Sequence, residues 1–248
     1  MTEQRVIAVT GAGRGIGSAI AEELAKRGFT VGCLSRQGVG LADREVDPAL
    51  AERLIPVACD LMSDQSIEAA IGDLVATTGR LDGVVNNAGL HLEGPSAAFP
   101  TADFDRVLRT NVTGLYVVCR TAYPHLRDAE RPTIVNIGSF FEGLGVKLNL
   151  AYAASKAAAA SITRGLAVEW AADGIRVLNV APGFVATDLN RDYMADEKFR
   201  RFLKNRIPTG GACEPEEVAR LVAMLFQEDL PFLTGETITI DGGQTINQ

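Results

Sequence analysis

One stretch constrains this chain more than any other. The apolar run in RVIAVTG (residues 5–11) passes directly into TGAGRGIG (10–17), and Ile16, Ile20 and Leu24 then stripe one face of a helix. Residues that are apolar in succession suit a strand covered on both faces, and an i, i+4, i+8 stripe suits a helix with one buried face. A strand that hands over to a helix through a tight glycine turn opens a βαβ unit, and such units build parallel sheets. The turn also has a chemical use. Glycines let the backbone approach a pyrophosphate, and the start of the helix offers free N–H groups and the positive end of its dipole. Gly11, Gly15 and Gly17 give GxxxGxG, with Gly13, Arg14 and Ile16 between them, so the candidate cradle runs from Gly11 to Gly17. Taken alone, the same turn could join strand and helix without any ligand.

The alternation continues. Strands are expected at 30–34, 54–59, 81–87, 133–138, 175–183 and 236–241. Helices are expected on the Ile67–Leu74 stripe, over roughly 102–123, over 152–171 and on the Val218–Leu225 stripe, and Gly28 should stop the first helix. This is an α/β pattern with a parallel sheet. Its 248 residues fit one α/β domain, residues 1–248. The longest irregular stretches are 36–50 and 184–212. The second follows the sixth strand, at the carboxyl edge where ligands bind in open α/β sheets. Within it, DEKFRRFLKNR (196–206) reads as an amphipathic helix, part of a substrate lid around 187–210, whose basic side could attract an anionic substrate.

A net charge of −7 argues against nonspecific nucleic-acid binding. No apolar run is long enough to span a membrane. The first residues lack the basic, apolar and small-residue segments of a signal peptide. Cys33, Cys59 and Cys119 fall in apolar runs, so with Cys213 they read as thiols rather than bridges or zinc ligands. Two lone histidines and scattered carboxylates form no metal-ligand set. The expectation is a cytoplasmic protein without a metal.

The end of the second strand bears on the cofactor. An acidic residue there would bind the 2′-hydroxyl of NAD, but the strand ends in Leu34-Ser35-Arg36. A guanidinium at Arg36 could pair with a 2′-phosphate, and Arg14 could help from the other side, which favours NADP(H) over NAD(H).

Tyr152 and Lys156 stand four apart in AYAASKAAAA (151–160), hence on one helix face. A cation beside a phenol favours the phenolate, and a tyrosine tuned in this way can act as a general acid/base. Alone, such a pair is as compatible with a solvated surface. Ser139 ends the fifth strand, 13 residues before Tyr152, and Asn111 lies inside the helix after the fourth strand, where it is a mediocre helix former.

With TGAGRGIG, NNAG (86–89), Asn111, Ser139, YAASK and APG (181–183) in this order, the chain resembles the short-chain dehydrogenases/reductases along essentially its whole length. The resemblance implies a seven-stranded, doubly wound Rossmann-type sheet with helices on both faces and a nicotinamide cofactor. It also implies that Tyr152 is the proton donor and acceptor, that Lys156 lowers its pKa and holds the nicotinamide ribose, that Ser139 orients the substrate oxygen, and that Asn111 serves a proton relay. By the same resemblance Asp60 and Leu61 lie by the adenine, Asn87, Ala88 and Gly89 line the cofactor channel, Pro182 and Gly183 flank it, and Val185 and Thr187 meet the carboxamide. A homotetramer is implied, with a dimer as the other possibility.

The resemblance implies a carbonyl or secondary-alcohol substrate. Its candidate wall comprises His91, Phe140, Phe141, Phe184 and Tyr193. Ketoacyl-carrier reductases and gluconate-type dehydrogenases are both similar. An NAD-dependent sugar-acid or alcohol dehydrogenase and a silent dinucleotide-binding sensor are the alternatives.

Overall fold

The computed structural model describes residues 4–187 and 196–247. Its strands are β1 (Val6–Thr10), β2 (Thr30–Ser35), β3 (Leu54–Ala58), β4 (Gly83–Asn86), β5 (Thr133–Ile137), β6 (Arg176–Pro182) and β7 (Thr237–Ile240). They form one parallel sheet in the order β3-β2-β1-β4-β5-β6-β7. The order reverses between β1 and β4, and in such sheets the crevice for a ligand opens at the carboxyl ends of the strands there.

Successive strand residues feed opposite faces. Val6 and Ala8 of β1 join a core built with α2 (Asp64–Thr78), α4 (Leu115–Leu126) and α5 (Leu150–Glu169), through Ile67, Ile71, Val118, Ala122, Ala159 and Leu166. Ile7 and Val9 join the opposite core, built with α1 (Gly15–Lys26) and α7 (Pro215–Gln227), through Ile20, Leu24, Val218, Val222 and Phe226. This is the Rossmann-type doubly wound arrangement. A sheet buried on both faces needs strands that are apolar on successive residues, as these are.

Two elements differ from the simple alternation of strand and α-helix, and one matches its expected range. The helix expected over 102–123 is α3 (Thr101–Leu108), a π-helical turn (Arg109–Gly114) and α4, joined without a break in helical backbone. The connection from β2 to β3 has no α-helix. It runs as turns and then a 3₁₀ segment, Pro48–Arg53, capped by the Asp47 side chain on the Ala49 N–H. The amphipathic helix expected over 196–206 is α6 (Glu197–Arg206), where Asp196 accepts from the Lys198 N–H and Leu203 is buried. Of the residues placed in the lid, 188–195 lie outside those described. No described helix is long and apolar enough to cross a membrane.

Candidate active site

The glycine turn is built by close approach. Gly11 and Gly15 have φ of 66° and 61°, where side chains are disfavoured. A Cβ on Gly17 would stand 2.2 Å from the Gly11 carbonyl oxygen and 2.4 Å from the Asn87 amide nitrogen. The β4 end packs against the same turn: Asn87 donates through Nδ2 to the Thr10 carbonyl at 3.0 Å, and the N–H groups of Asn87 and Ala88 donate to Thr10 Oγ1. Helix α1 starts at Gly15, its first turn has no acidic residue, and Arg14 at the N-cap makes no side-chain cap. The Gly15 N–H donates to the Asp43 carboxylate at 2.6 Å, and the glycine turn at the start of α1 is of the kind that fits a pyrophosphate.

Around it stand the other residues singled out for a dinucleotide. Arg14 and Arg36 are both exposed, and their guanidinium groups make no hydrogen bond or ion pair to other described residues. Ser35 Oγ accepts from the Gly38 N–H at 3.1 Å. The Asp60 carboxylate accepts from the Met62 N–H, and Leu61 is buried beside it. Thr187 lies over the turn, its methyl 3.6 Å from where a Gly15 Cβ would be. Val185 bridges to Cys213 in parallel register, and Gly183, after Pro182 at the end of β6, is packed on the Asp241 backbone.

The reacting end is assembled by β5, α5 and the π-turn. Ser139 follows β5 and caps a short 3₁₀ segment by accepting from the Phe141 N–H at 3.2 Å, which leaves its own O–H to donate. Tyr152 lies in the first turn of α5, with the Lys156 ammonium 5.6 Å from its ring centroid. Lys156 is buried and donates to the Ile137 carbonyl at 2.7 Å. Asn111 is buried in the π-turn. Its Oδ1 accepts from the Leu90 N–H, and its Nδ2 donates to the Leu90 carbonyl and to Ser155 Oγ. Ser155 in turn donates to the Tyr152 carbonyl at 2.7 Å. A Cβ on Gly89 would be 3.5 Å from Asn111 Oδ1 and 3.6 Å from Lys156 Nζ, so all three groups border one space.

Burial moves the two titratable groups in opposite directions. It pushes the Tyr152 phenol up to about 12, against a hydrogen bond with Ser139 that pulls it down. It pulls the Lys156 ammonium down to about 8, against the opposing charge of Glu142. The expectation that Lys156 lowers the Tyr152 pKa is therefore not met here. The ammonium lies by the ring and is tied to the Ile137 carbonyl, and desolvation of the phenolate dominates.

Of the candidate substrate residues, His91 rests on Tyr152, ring centroids 4.6 Å apart, with Phe141 on another side at 5.9 Å. Phe141, Phe140, Phe184 and Phe199 then follow in edge or tilted contacts of 4.4, 5.2 and 5.8 Å, an aromatic wall from the tyrosine to α6. Tyr193 lies outside the described residues. Sequence reasoning missed three polar supports. Ser155 was hidden inside the YAASK motif. Asn149 carries no local signal. Asn179, donating to Glu142 Oε2 at 2.9 Å, reads only as part of a strand. Among the described residues, no group of three or more His, Cys, Asp or Glu is placed to hold a metal ion.

A glycine cradle at the switch point, with a half-buried Tyr152 and buried Lys156, Ser139 and Asn111 beside it, describes an oxidoreductase of the nicotinamide type. Residues 11–245 match the family model described as enoyl-(acyl carrier protein) reductase. The chain is 33% identical over 246 residues to 3beta-hydroxysteroid dehydrogenase 1 of Eggerthella lenta, covering 98% of this chain and 94% of that one. Two solved structures superpose closely. One is the 3-ketoacyl-(acyl-carrier-protein) reductase of Brucella melitensis complexed with NADH (29% identity, TM-score 0.87, 98% and 99% covered). The other is the gluconate 5-dehydrogenase of Burkholderia cenocepacia in complex with NADP and tartrate (28%, 0.86, 98% and 96%). The chain belongs to the short-chain dehydrogenase/reductase family, and its cofactor is a nicotinamide dinucleotide.

Proposed function

We propose that the protein transfers a hydride between NADP(H) and a carbonyl or secondary-alcohol substrate, with Tyr152 as the general acid/base. The observation that carries this reading is the common border of Tyr152, Lys156, Ser139 and Asn111 next to the glycine cradle. The dinucleotide supplies or accepts the hydride when bound. The chain does the rest. Ser139, its Oγ already accepting from the Phe141 N–H, directs its proton at the oxygen held by Tyr152. Tyr152, protonated at neutral pH, gives its proton to that oxygen in reduction. Asn111, pinned by Leu90 and Ser155, fixes the polar space beside Lys156 through which a proton can return. The phosphate-bearing form is favoured by Arg14 and Arg36, two exposed guanidinium groups at the adenosine end, and by the absence of an acid at the end of β2.

The aromatic wall from Phe141 to Phe199 favours a substrate with an apolar body. Relatives bearing the names steroid, glucose and butanediol dehydrogenase leave that body open. The protein is read as cytoplasmic, one domain, and a homotetramer. The test is oxidation of NADPH and of NADH, in parallel, against β-ketoacyl thioesters, keto sugar acids, cyclic ketones, diketones and aromatic ketones. Turnover with NADPH is expected. Arg36→Ala should weaken NADPH binding by about tenfold and NADH binding little, as one charge-assisted pair is worth about 1.5–3 kcal/mol. A preference for NADH would leave the Tyr152 chemistry standing and remove Arg36 from it.

A further inference from the structure

The loop after β4 brings His91 onto Tyr152, and the way it is held specifies its chemistry. The ring centroids are 4.6 Å apart, with planes at 51°. His91 Nε2 is hydrogen-bonded to Asn149 Oδ1. The Asn149 amide nitrogen is already committed to the Lys147 carbonyl at 2.9 Å, so it is the amide oxygen that faces the imidazole. The histidine must then donate through Nε2, and the neutral ring carries its lone pair on Nδ1. Nδ1 has no hydrogen-bond partner among the described residues, and His91 is exposed at the cleft.

The local structure is arranged around this contact. Asn149 is the N-cap of α5, a position where asparagine usually caps the helix, yet its side chain makes no cap. Leu148, just before it, has φ of 66°, a conformation costing a leucine about 1–3 kcal/mol unless its surroundings impose it. The Leu148 carbonyl accepts from the Gly94 N–H at 2.8 Å, so backbone and side chain both tie the His91 loop to the start of the tyrosine helix.

We infer that His91 selects the substrate: its Nδ1 accepts a hydrogen bond from a hydroxyl one or two carbons from the reacting carbon. The class is then hydroxy ketones and the matching diols, with the apolar part of the molecule against the aromatic wall. This rests on Tyr152 holding the reacting oxygen, as proposed above. The two-electron exchange is that of the carbonyl/alcohol reaction, and the second hydroxyl is held without gaining or losing electrons.

Two matched pairs test it: 2-hydroxycyclohexanone against cyclohexanone in reduction, and trans-1,2-cyclohexanediol against cyclohexanol in oxidation. In the wild type the hydroxyl-bearing member should have a kcat/KM up to about tenfold higher, chiefly through KM, the effect of one hydrogen bond. His91→Phe keeps a ring on Tyr152 and removes Nδ1, so the ratio should collapse to near one, while His91→Gln, which retains an acceptor, should keep part of it. If His91→Phe fails to fold, His91→Leu, which likewise removes Nδ1, gives the same test. Equal turnover of both members by the wild type, or a ratio that survives His91→Phe, overturns the inference alone. No turnover of any member, where other carbonyls of the panel above are turned over, overturns the inference alone; no turnover across that panel as well, with NADPH and NADH both shown to bind, overturns the oxidoreductase reading and this inference with it.

Discussion

Tyr152 and Lys156 share one environment, and burial displaces both toward their neutral forms. For the phenol this means a proton that is present throughout the neutral range. Reduction, which uses that proton, should vary little between pH 6 and pH 8. Oxidation needs the phenolate and should climb steadily above pH 9, and parallel pH profiles in the two directions check this. Tyr152→Phe should cut turnover by about 10²–10⁴ while the dinucleotide dissociation constant, read by NADPH fluorescence, changes little. Lys156 has a consequence for stability. Its folded pKa, about 8, lies below the unfolded value of 10.5, so between those limits the unfolded chain binds more protons and stability rises with pH. Below pH 8 the charged lysine is a cost. Lys156→Met should therefore unfold at a higher temperature than the wild type at pH 7, by an amount worth roughly 1–3 kcal/mol after loss of the Ile137 hydrogen bond, and should lose the rise across pH 8–10. A lower melting temperature at pH 7 would mean that this hydrogen bond outweighs the desolvation. The residue types and spacings of Asn111, Ser139, Tyr152 and Lys156 were legible in the sequence. The direction of the tyrosine shift was not, because it depends on how much water the fold removes.

At the scale of elements, strands were legible to within a residue or two, since a strand covered on both faces leaves a short run of successive apolar residues. The π-turn was not. RTNVTG has ordinary helix-compatible composition, and what widens the turn there is tertiary: Asn111 satisfied by Leu90 and Ser155, and Gly114 packed on Leu61. The β2–β3 connection was legible only as a missing helix. The structure shows it as a strap across the glycine turn. Arg44 bridges Glu22 at 2.7 Å, Ser18 at 3.1 Å and Glu216 at 3.4 Å, and the Asp43 carboxylate accepts from the Gly15 N–H at 2.6 Å. A carboxylate at the start of α1 competes for the ground a phosphate would use. Asp43→Asn should tighten NADPH binding several-fold at low salt and less at high salt, where such repulsion is screened. Calorimetric titration at two salt concentrations measures it, and weaker binding in the variant would show that Asp43 instead holds the turn in shape.

For the whole molecule, the two cores consume the faces of the sheet and leave several large apolar side chains exposed. Val168 on α5 and Tyr116 on α4 are 80% and 44% exposed, and Phe232 and Ile246, on either side of β7, are 102% and 85% exposed. Large apolar side chains cost free energy in water, about 1.5–3 kcal/mol each when fully exposed rather than buried. A tetramer closed by two distinct two-fold interfaces needs two surfaces, and Val168 on α5 and Phe232 ahead of β7 are exposed candidates for them. The proposed homotetramer therefore predicts a scattering mass four times that of the chain. Val168→Glu should break one interface and Phe232→Glu the other, each leaving a dimer, and the double variant should leave a monomer. Because the last strand also supports Gly183 through Asp241, the Phe232 variant should lose activity on dissociation more than the Val168 variant does. A wild type that sediments as a monomer, or a Phe232→Glu variant that stays tetrameric, would detach the exposed residues from assembly.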